Sequence, residues 1–453
     1  MPTATIVTEE FRGLYGVVTT SLGQPALPAV YIAHPIVSVP HPEMRGRAEP
    51  AMSSIVDVAT GVSVQANGPA VAHTVVTTSA PAVVDGQRRA RRHPVLEALE
   101  RVTVADDPDA IFERFAGEGW TDGLPIAPPT EERVARMLAG SDFDPSASLG
   151  PMPPSWGEAT IAKLAVNAVM AGCTPEYFPV IVTAVKAMLA KPFNLYGIQG
   201  TTNPATPVVI VNGPIARDLG INARGNLFGQ GFRANATIGR AIRLIMTTIG
   251  GGVPQQADKS TLGNPAKYTC CFAENEAQSP WAPLHVERGF EAGTSTVTVF
   301  GGAAPANIIE KSKTADAMLQ TIARAMAASG SNNMFMSQEA LLILGPEHAA
   351  IAARQGSDKE RTRRTLFEHA RIPFAQIGQS NAEVLSVWRG NCIDEVDGVR
   401  TLRIVEKPDD ILIVVAGGAG NHSASIPGWY SRSVTLPIVN AASPSPAVGL
   451  RRG

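Results

Sequence analysis

The chain is short of cysteine: Cys173, Cys270, Cys271 and Cys392 are the only four thiols in 453 residues. They form no CxxC pair and no zinc-finger spacing, which excludes a disulfide-stapled scaffold and a cysteine-bound structural zinc. Charge is scarce too. Only 17% of residues are charged and the net charge is −2, far from the basic balance of a nucleic-acid-coating protein. No uncharged apolar run approaches the ~20 residues a helix needs to span a bilayer. The opening MPTATIVTEEFRG has acidic residues where a signal peptide carries a basic stretch and then an apolar one. Together these absences lead us to expect reduced thiols in a cytoplasm, with no membrane and no nucleic acid as partner. What is present is 44% hydrophobic content with 42 Gly and 36 Pro, the composition of a loop-rich globular protein rather than a coiled coil or a disordered chain.

The length is about three times a typical ~150-residue domain. Residues 1–58 read as a small N-terminal α/β module, with a helix over 9–22, a strand from Ala29 to Ala33 and a helix opening at Pro42. From 59 to 93 the pattern dissolves into Val, Ala, Thr, Ser, Gly and Pro, then Arg88–His93, and predicts a flexible linker. Residues 94–453 form the main region, divisible into two subdomains near 300–335. Asp107 or Asp109 and then Thr130 are helix caps. Two Gly and three Pro in 119–129 forbid regular structure there. Helices are predicted over 158–172, 177–191, 237–249, 314–328, 346–354 and 359–370, and strands over 207–211, 268–273, 296–300, 341–344 and 411–415. Strands alternating with helices give an α/β class, with mixed or mostly parallel sheets flanked by helices. No repeat of fixed period is visible.

The densest chemistry lies in Cys270-Cys-Phe-Ala-Glu274-Asn-Glu276, followed by His285-Val-Glu287-Arg288. Read as extended chain, Glu274 and Glu276 share one face and His285 and Glu287 another. Such a set suits general acid–base work, and His285 with Glu287 suits a divalent metal such as Fe, Mn or Zn. Cys173, at the start of a helix, and Cys271 are candidate thiolates. Three polar loops are candidate ligand cradles. The first, Thr201-Thr202-Asn203, leads into the strand ending at Asn212, and open α/β sheets bind ligands at strand carboxyl ends. The second precedes the 237–249 helix with Arg233 and Asn235, a setting for an anion. The third, Gly417-Gly418-Ala-Gly420-Asn421-His422-Ser423, follows an apolar strand. It has neither G-x-G-x-x-G nor Walker spacing, so no nucleotide site is expected. No G-x-S-x-G elbow supports Ser423 as a hydrolase nucleophile. His348 and His369, inside helices, read as structural.

Residues 6–50, from Thr8-Glu9-Glu10-Phe11 through Tyr31-Ile-Ala-His34-Pro35 to the Glu43–Ala48 helix, resemble the C-terminal end of the UGSC family of (seleno)proteins. The cysteine-bearing motif of that family is missing, since no cysteine precedes Cys173. Residues 110–435 resemble a bacterial family associated with the same proteins, through GWTDGLP (119–125), NAVMAGCTPEYFP (167–179), the 263–290 segment and AGGAGNHS (416–423). The resemblance implies a setting of redox or carbon–heteroatom cleavage, in which a partner supplies the selenol or thiol. The expectation is an enzyme of lyase or reductase type acting on a small polar or anionic substrate through the Glu/His cluster and a Cys thiolate. The alternatives are a metal-dependent hydrolase or hydratase, and a non-catalytic subunit that docks a UGSC-type partner. A homo-oligomer is also expected.

Overall fold

The structure, a computed structural model, describes residues 5–25, 27–34, 41–60, 78–79, 99 and 101–439. In the N-terminal module β1 (Thr5–Thr8) runs parallel to β2 (Ala29–Ile32), joined through α1 (Arg12–Ser21). The helix α2 (His41–Thr60) packs Ala51, Ile55 and Val58 on Val30 and Ile32. Leu14 of α1 occupies the space that a side chain at Gly200 would take, which seats the module on the body. Most of the expected linker, with Arg88–His93, lies outside the described residues. Within it β3 (Thr78–Ser79) pairs in parallel with β4 (Val102–Thr103).

The body opens with helices whose starts are set by local chemistry. Asp107 accepts from the Ala110 amide at 2.8 Å and caps α3 (Pro108–Gly117). Thr130 likewise caps α4 (Glu131–Ala139). The hairpin of β5 (Ser148–Met152) and β6 (Gly157–Thr160) leads into α5 (Ile161–Met170), α6 (Phe178–Leu189) and α7 (Leu195–Gln199). Then come β7 (Thr206–Asn212), α8 (Pro214–Asp218), α9 (Arg233–Thr248), β8 (Cys271–Ala273), α10 (Leu284–Glu287) and β9 (Thr296–Gly302). The helix α9 starts one turn before the expected Thr237, because Ala234 and Asn235 are buried by tertiary contacts. The strand over 268–273 is shorter than expected. Residues 265–267 form a 3₁₀ turn, and only Cys271–Ala273 pairs as strand.

The remaining elements are β10 (Ala306–Ile309), α11 (Ala315–Met326), α12 (Asn332–Phe335), β11 (Ala340–Leu344), α13 (Pro346–Arg354) and α14 (Lys359–His369). A small antiparallel sheet of β12 (Arg371–Pro373), β13 (Ile393–Val396) and β14 (Val399–Arg403) is inserted next, with α15 (Gln379–Trp388). The chain closes through β15 (Ile411–Val415), β16 (His422–Ile426) and β17 (Val434–Pro437).

Two four-stranded mixed sheets result, in the orders β17-β9-β7-β8 and β10-β16-β11-β15. They lie face to face. Val208, Ile210, Phe272 and Phe300 of the first meet Leu341, Ile343, Leu412, Val414 and Ile426 of the second in one core. The alternate residues point outward. Val209, Val211, Val297 and Val299 pack on α5, α6 and α9, and Leu342, Leu344, Ile413 and Val415 pack on α11, α13 and α14. This gives four layers, helix–sheet–sheet–helix. It explains why the strands are unbroken apolar runs rather than alternating ones, since both faces are buried. Each fully buried Val, Leu or Ile contributes roughly 1.5–3 kcal/mol. Pro207 is tolerated in β7 because the odd-numbered positions face β8, whose contact begins only at Val209.

Although no periodic repeat shows in the sequence, the fold does repeat. In both sheets a strand runs to a Gly-Pro helix start (β7 to Gly213-Pro214, β11 to Gly345-Pro346), crosses over to a parallel neighbour (β8, β15), and then meets an antiparallel strand (β9, β16). The fourth strands are exchanged. β10 follows β9 but pairs with β16, and β17 follows β16 but pairs with β9. The exchanged strands and the common core tie the two halves together. Among the described residues no single helix is long and apolar enough to cross a membrane; the bent run from Pro175 to Gln199 passes only as a pair.

Candidate functional site

A cavity of about 530 Å³ opens at the carboxyl ends of the parallel pair β7 and β8, where ligands bind in open α/β sheets. Two of its lining carboxylates are held from behind by Asn212, the buried last residue of β7. The Asn212 Nδ2 donates to Glu274 Oε2 at 2.7 Å and to Glu276 Oε1 at 2.9 Å. The next residue is glycine for two reasons: its φ is 84°, and a Cβ there would lie 2.5 Å from the Thr294 carbonyl oxygen. The Gly213 amide donates to Glu276 Oε1 at 2.8 Å. Glu276 is thus held through one oxygen, and its side chain is 31% exposed toward the cavity.

Glu274 differs. It is buried, and its Oε2 also accepts from the Leu284 amide at 2.8 Å. Burial raises its carboxyl above the ordinary value; Lys359, the Leu284 amide and Asn212 oppose that rise without cancelling it. Behind Glu276 lies His285, fully buried on α10, its Nδ1 3.8 Å from Glu276 Oε1. His285 Nε2 lies 3.2 Å from the Ala292 carbonyl. A carbonyl only accepts, so Nε2 carries a proton, and Nδ1 is the ring atom that faces the carboxylate. His285 Nδ1 and Asn212 Oδ1 are both buried without a hydrogen bond. Arg217 and Arg224 stand on the cavity lining, and Arg217 is 82% exposed.

The structure rearranges several expectations. Glu274 and Glu276 do converge, but through Asn212 and not as neighbours on one strand, since β8 ends at Ala273. His285 and Glu287 separate, because 284–287 is a turn of helix and positions two apart on a helix diverge. Glu287 pairs with Lys359 at 2.5 Å and with Arg363 at 2.8 Å. The two therefore do not form the expected metal pair, and among the described residues no group of three or more His, Cys, Asp or Glu could hold a metal ion.

All four cysteines are buried. The Cys173 thiol donates to the Thr237 carbonyl at 3.2 Å, and burial pushes its pKa up to about 12. Burial raises Cys270 to about 12 as well and Cys271 well above its ordinary value. Neither Cys173 nor Cys271 is the expected thiolate, because desolvation outweighs any helix-end effect.

Thr201, Thr202 and Asn203 precede β7, so its length of roughly 20 Å separates them from the cavity. There Asn203 exchanges side-chain hydrogen bonds with Asn332 at 2.8 and 2.9 Å. Arg233 donates to the Gly172 carbonyl and so closes the end of α5. Asn235 holds both backbone groups of Asn222, a residue of the cavity wall. In the last loop Gly417 bridges Arg224, and Gly418 passes so close to Gly225 that a Cβ would lie 2.8 Å from its Cα. Gly420 takes a φ of 135° in the turn beyond, and Asn421 contributes its carbonyl to the Glu310 amide.

His422 faces Asn307 at 3.1 Å, while Ser423 is buried and bonded elsewhere. Ser423 Oγ lies 2.7 Å from His348 Nδ1 and accepts from the Gly345 amide at 3.0 Å. The expected His422–Ser423 cradle is therefore split between two surroundings. Arg217 and Arg224 carried no sequence signal beyond following the Gly213-Pro214 turn.

No curated protein and no solved structure matches the chain. Residues 1–61, the segment that carries β1, α1, β2 and α2, match the model of the UGSC family, and it is this segment rather than the cavity-bearing body that is similar to that family.

Proposed function

We propose that the chain is an enzyme acting on a small anionic substrate in the cavity at the ends of β7 and β8, by proton abstraction coupled to carbon–heteroatom cleavage. The observation that carries this reading is the fixed carboxylate of Glu276, pinned through Oε1 by Gly213 and Asn212 and turned toward the cavity. Arg217 and Arg224 would hold the substrate's negative charge at the lining. Glu276 would take a proton from the carbon next to the substrate carboxylate. The C–H pair would become the new double bond, and the heteroatom would leave with its own bonding pair. His285 Nδ1, behind Glu276, would then take the proton on. The buried thiols play no part in this scheme, and the divergence of His285 from Glu287 leaves the metal-dependent alternative without a ligand pair.

The test is deuterium incorporation, followed by NMR, into a panel of small 2-hydroxy, 2-amino and dicarboxylic acids in D₂O. Exchange into at least one of them, slowed at least about 100-fold by Glu276→Gln, supports the reading. Exchange that is unchanged in the variant, or absent across the panel, removes it. A second reading keeps its own observation. The family-like segment 1–61 carries no cysteine, which suits a subunit that docks a thiol- or selenol-bearing partner. Co-purification with such a partner, together with the absence of turnover by the chain alone, would favour it.

A further inference from the structure

A second cavity, of about 470 Å³, lies at the amino end of β15, lined by Leu284, Glu287 and Arg288 on the α10 side and by Ile411 and Leu412 of the strand. Its chemistry is ionic. Arg363 uses all three of its nitrogens, donating to Glu287, Glu360 and the Ile411 carbonyl. Asp410, 2% exposed, is taken by Arg432. Three cationic groups retain donors. Arg288 spends one NH₂ group on Ser433, Arg432 spends NH1 on Asp410, and no described residue bonds Lys407 Nζ. The buried Glu339 stands between the two guanidinium groups at 3.9 Å from each, too far for a hydrogen bond. The lining carries four cations and four carboxylates, and just outside it Lys359 pairs with Glu287 and Glu360 with Arg363.

We infer that this cavity is a second ligand site, for a small oxyanion held by Arg288, Arg432 and Lys407. Its volume suits a small molecule. The spare N–H donors of Arg288, Arg432 and Lys407 suit a phosphate or carboxylate group. The site is placed to be felt at the first cavity, because α10 lies between the two. Leu284 and Glu287 line the charged cavity, while the Leu284 amide holds Glu274 and the intervening His285 faces Glu276. An anion here would fix α10, and with it the position of His285. Only this coupling rests on the function proposed above; the binding does not.

The experiment is calorimetric titration of the full chain with inorganic phosphate and, separately, with succinate, in a background of Arg217→Ala with Arg224→Ala that removes the first cavity's cations. One site per chain is expected to remain in that background and to weaken at least tenfold on adding Lys407→Glu, an exposed position. Whether phosphate or succinate binds tighter identifies the head group. Hydrogen exchange of peptides over 284–288 is expected to slow several-fold on saturation. Absence of binding by both anions in the double variant overturns the site, as does affinity unchanged by Lys407→Glu. Binding without altered exchange overturns the coupling. A failed deuterium test with binding intact would remove the proposed reaction and leave this site standing.

Discussion

The two halves end their first strands in the same way and build opposite things there. In the first, β7 runs Asn212-Gly213-Pro214; in the second, β11 runs Leu344-Gly345-Pro346. In each a glycine amide points at a side-chain oxygen, Glu276 in one and Ser423 in the other. Each also has a buried histidine whose Nε2 faces a carbonyl, Ala292 for His285 and Glu310 for His348. The difference is at Nδ1. His348 Nδ1 meets the Ser423 hydroxyl at 2.7 Å, so both ring nitrogens of that histidine are partnered. His285 faces a carboxylate at 3.8 Å and has no hydrogen bond there. Leu344 joins the apolar core, whereas Asn212 gathers two carboxylates. One fold unit thus yields a sealed structural corner and an open polar one, through which residue stands at the strand end and what faces the imidazole.

That contrast can be broken at its sharpest point first. Glu276→Gln is expected to lower turnover by about 10²- to 10⁴-fold, the usual contribution of a general base, with no change in melting temperature. Making the open end resemble the sealed one, by Asn212→Leu, removes both donations to carboxylates and leaves Glu274 buried with one close donor. The loss should be roughly 3 kcal/mol, read from the denaturant midpoint at constant slope. On the sealed side, Ser423→Ala strands the Gly345 amide and the His348 Nδ1, and roughly 1–3 kcal/mol should go. Turnover should stay unchanged in that variant, and a drop comparable to that of Glu276→Gln would dissolve the distinction between the two ends.

The smallest effect is one of pH. The folded state raises the pKa of Glu274 from the ordinary 4.5, so the folded chain binds this proton more tightly than the unfolded one. Its contribution to stability is present in full below about 4.5 and is lost as pH rises through the raised value. Urea melts across that window should show a falling limb, and Glu274→Gln should flatten it. A limb of equal slope in the variant would assign the effect elsewhere.

Much of the scaffold is legible in the residues because its causes are local. The caps Asp107 and Thr130, the apolar run Pro207–Val211 and the Gly-Pro pairs after β7 and β11 each act within a few positions. The expected helices 177–191, 346–354 and 359–370 appear within a few residues of their bounds. The site was half legible. Glu274, Glu276, His285 and Asn212 stood out as residues, but the extended reading of 285–287 failed where one helical turn sent Glu287 to Arg363. Cys173 misled for the opposite reason. Its position near a helix start suggests a reactive thiolate, and only the packing around it shows that the thiol is desolvated.

What the sequence by itself determined is the class of the molecule: apolar strands buried on both faces, the helices that cover them, and a polar residue at the end of β7. The tertiary structure alone decided which polar groups meet. Asn212 reaches Glu274 across 62 positions, His348 reaches Ser423 across 75, and the exchanged strands β10 and β17 bind halves more than 100 positions apart. Periodicity and capping report energies within one or two turns of chain. The pairing of distant side chains depends on how two sheets stack, and local pattern carries no term for that.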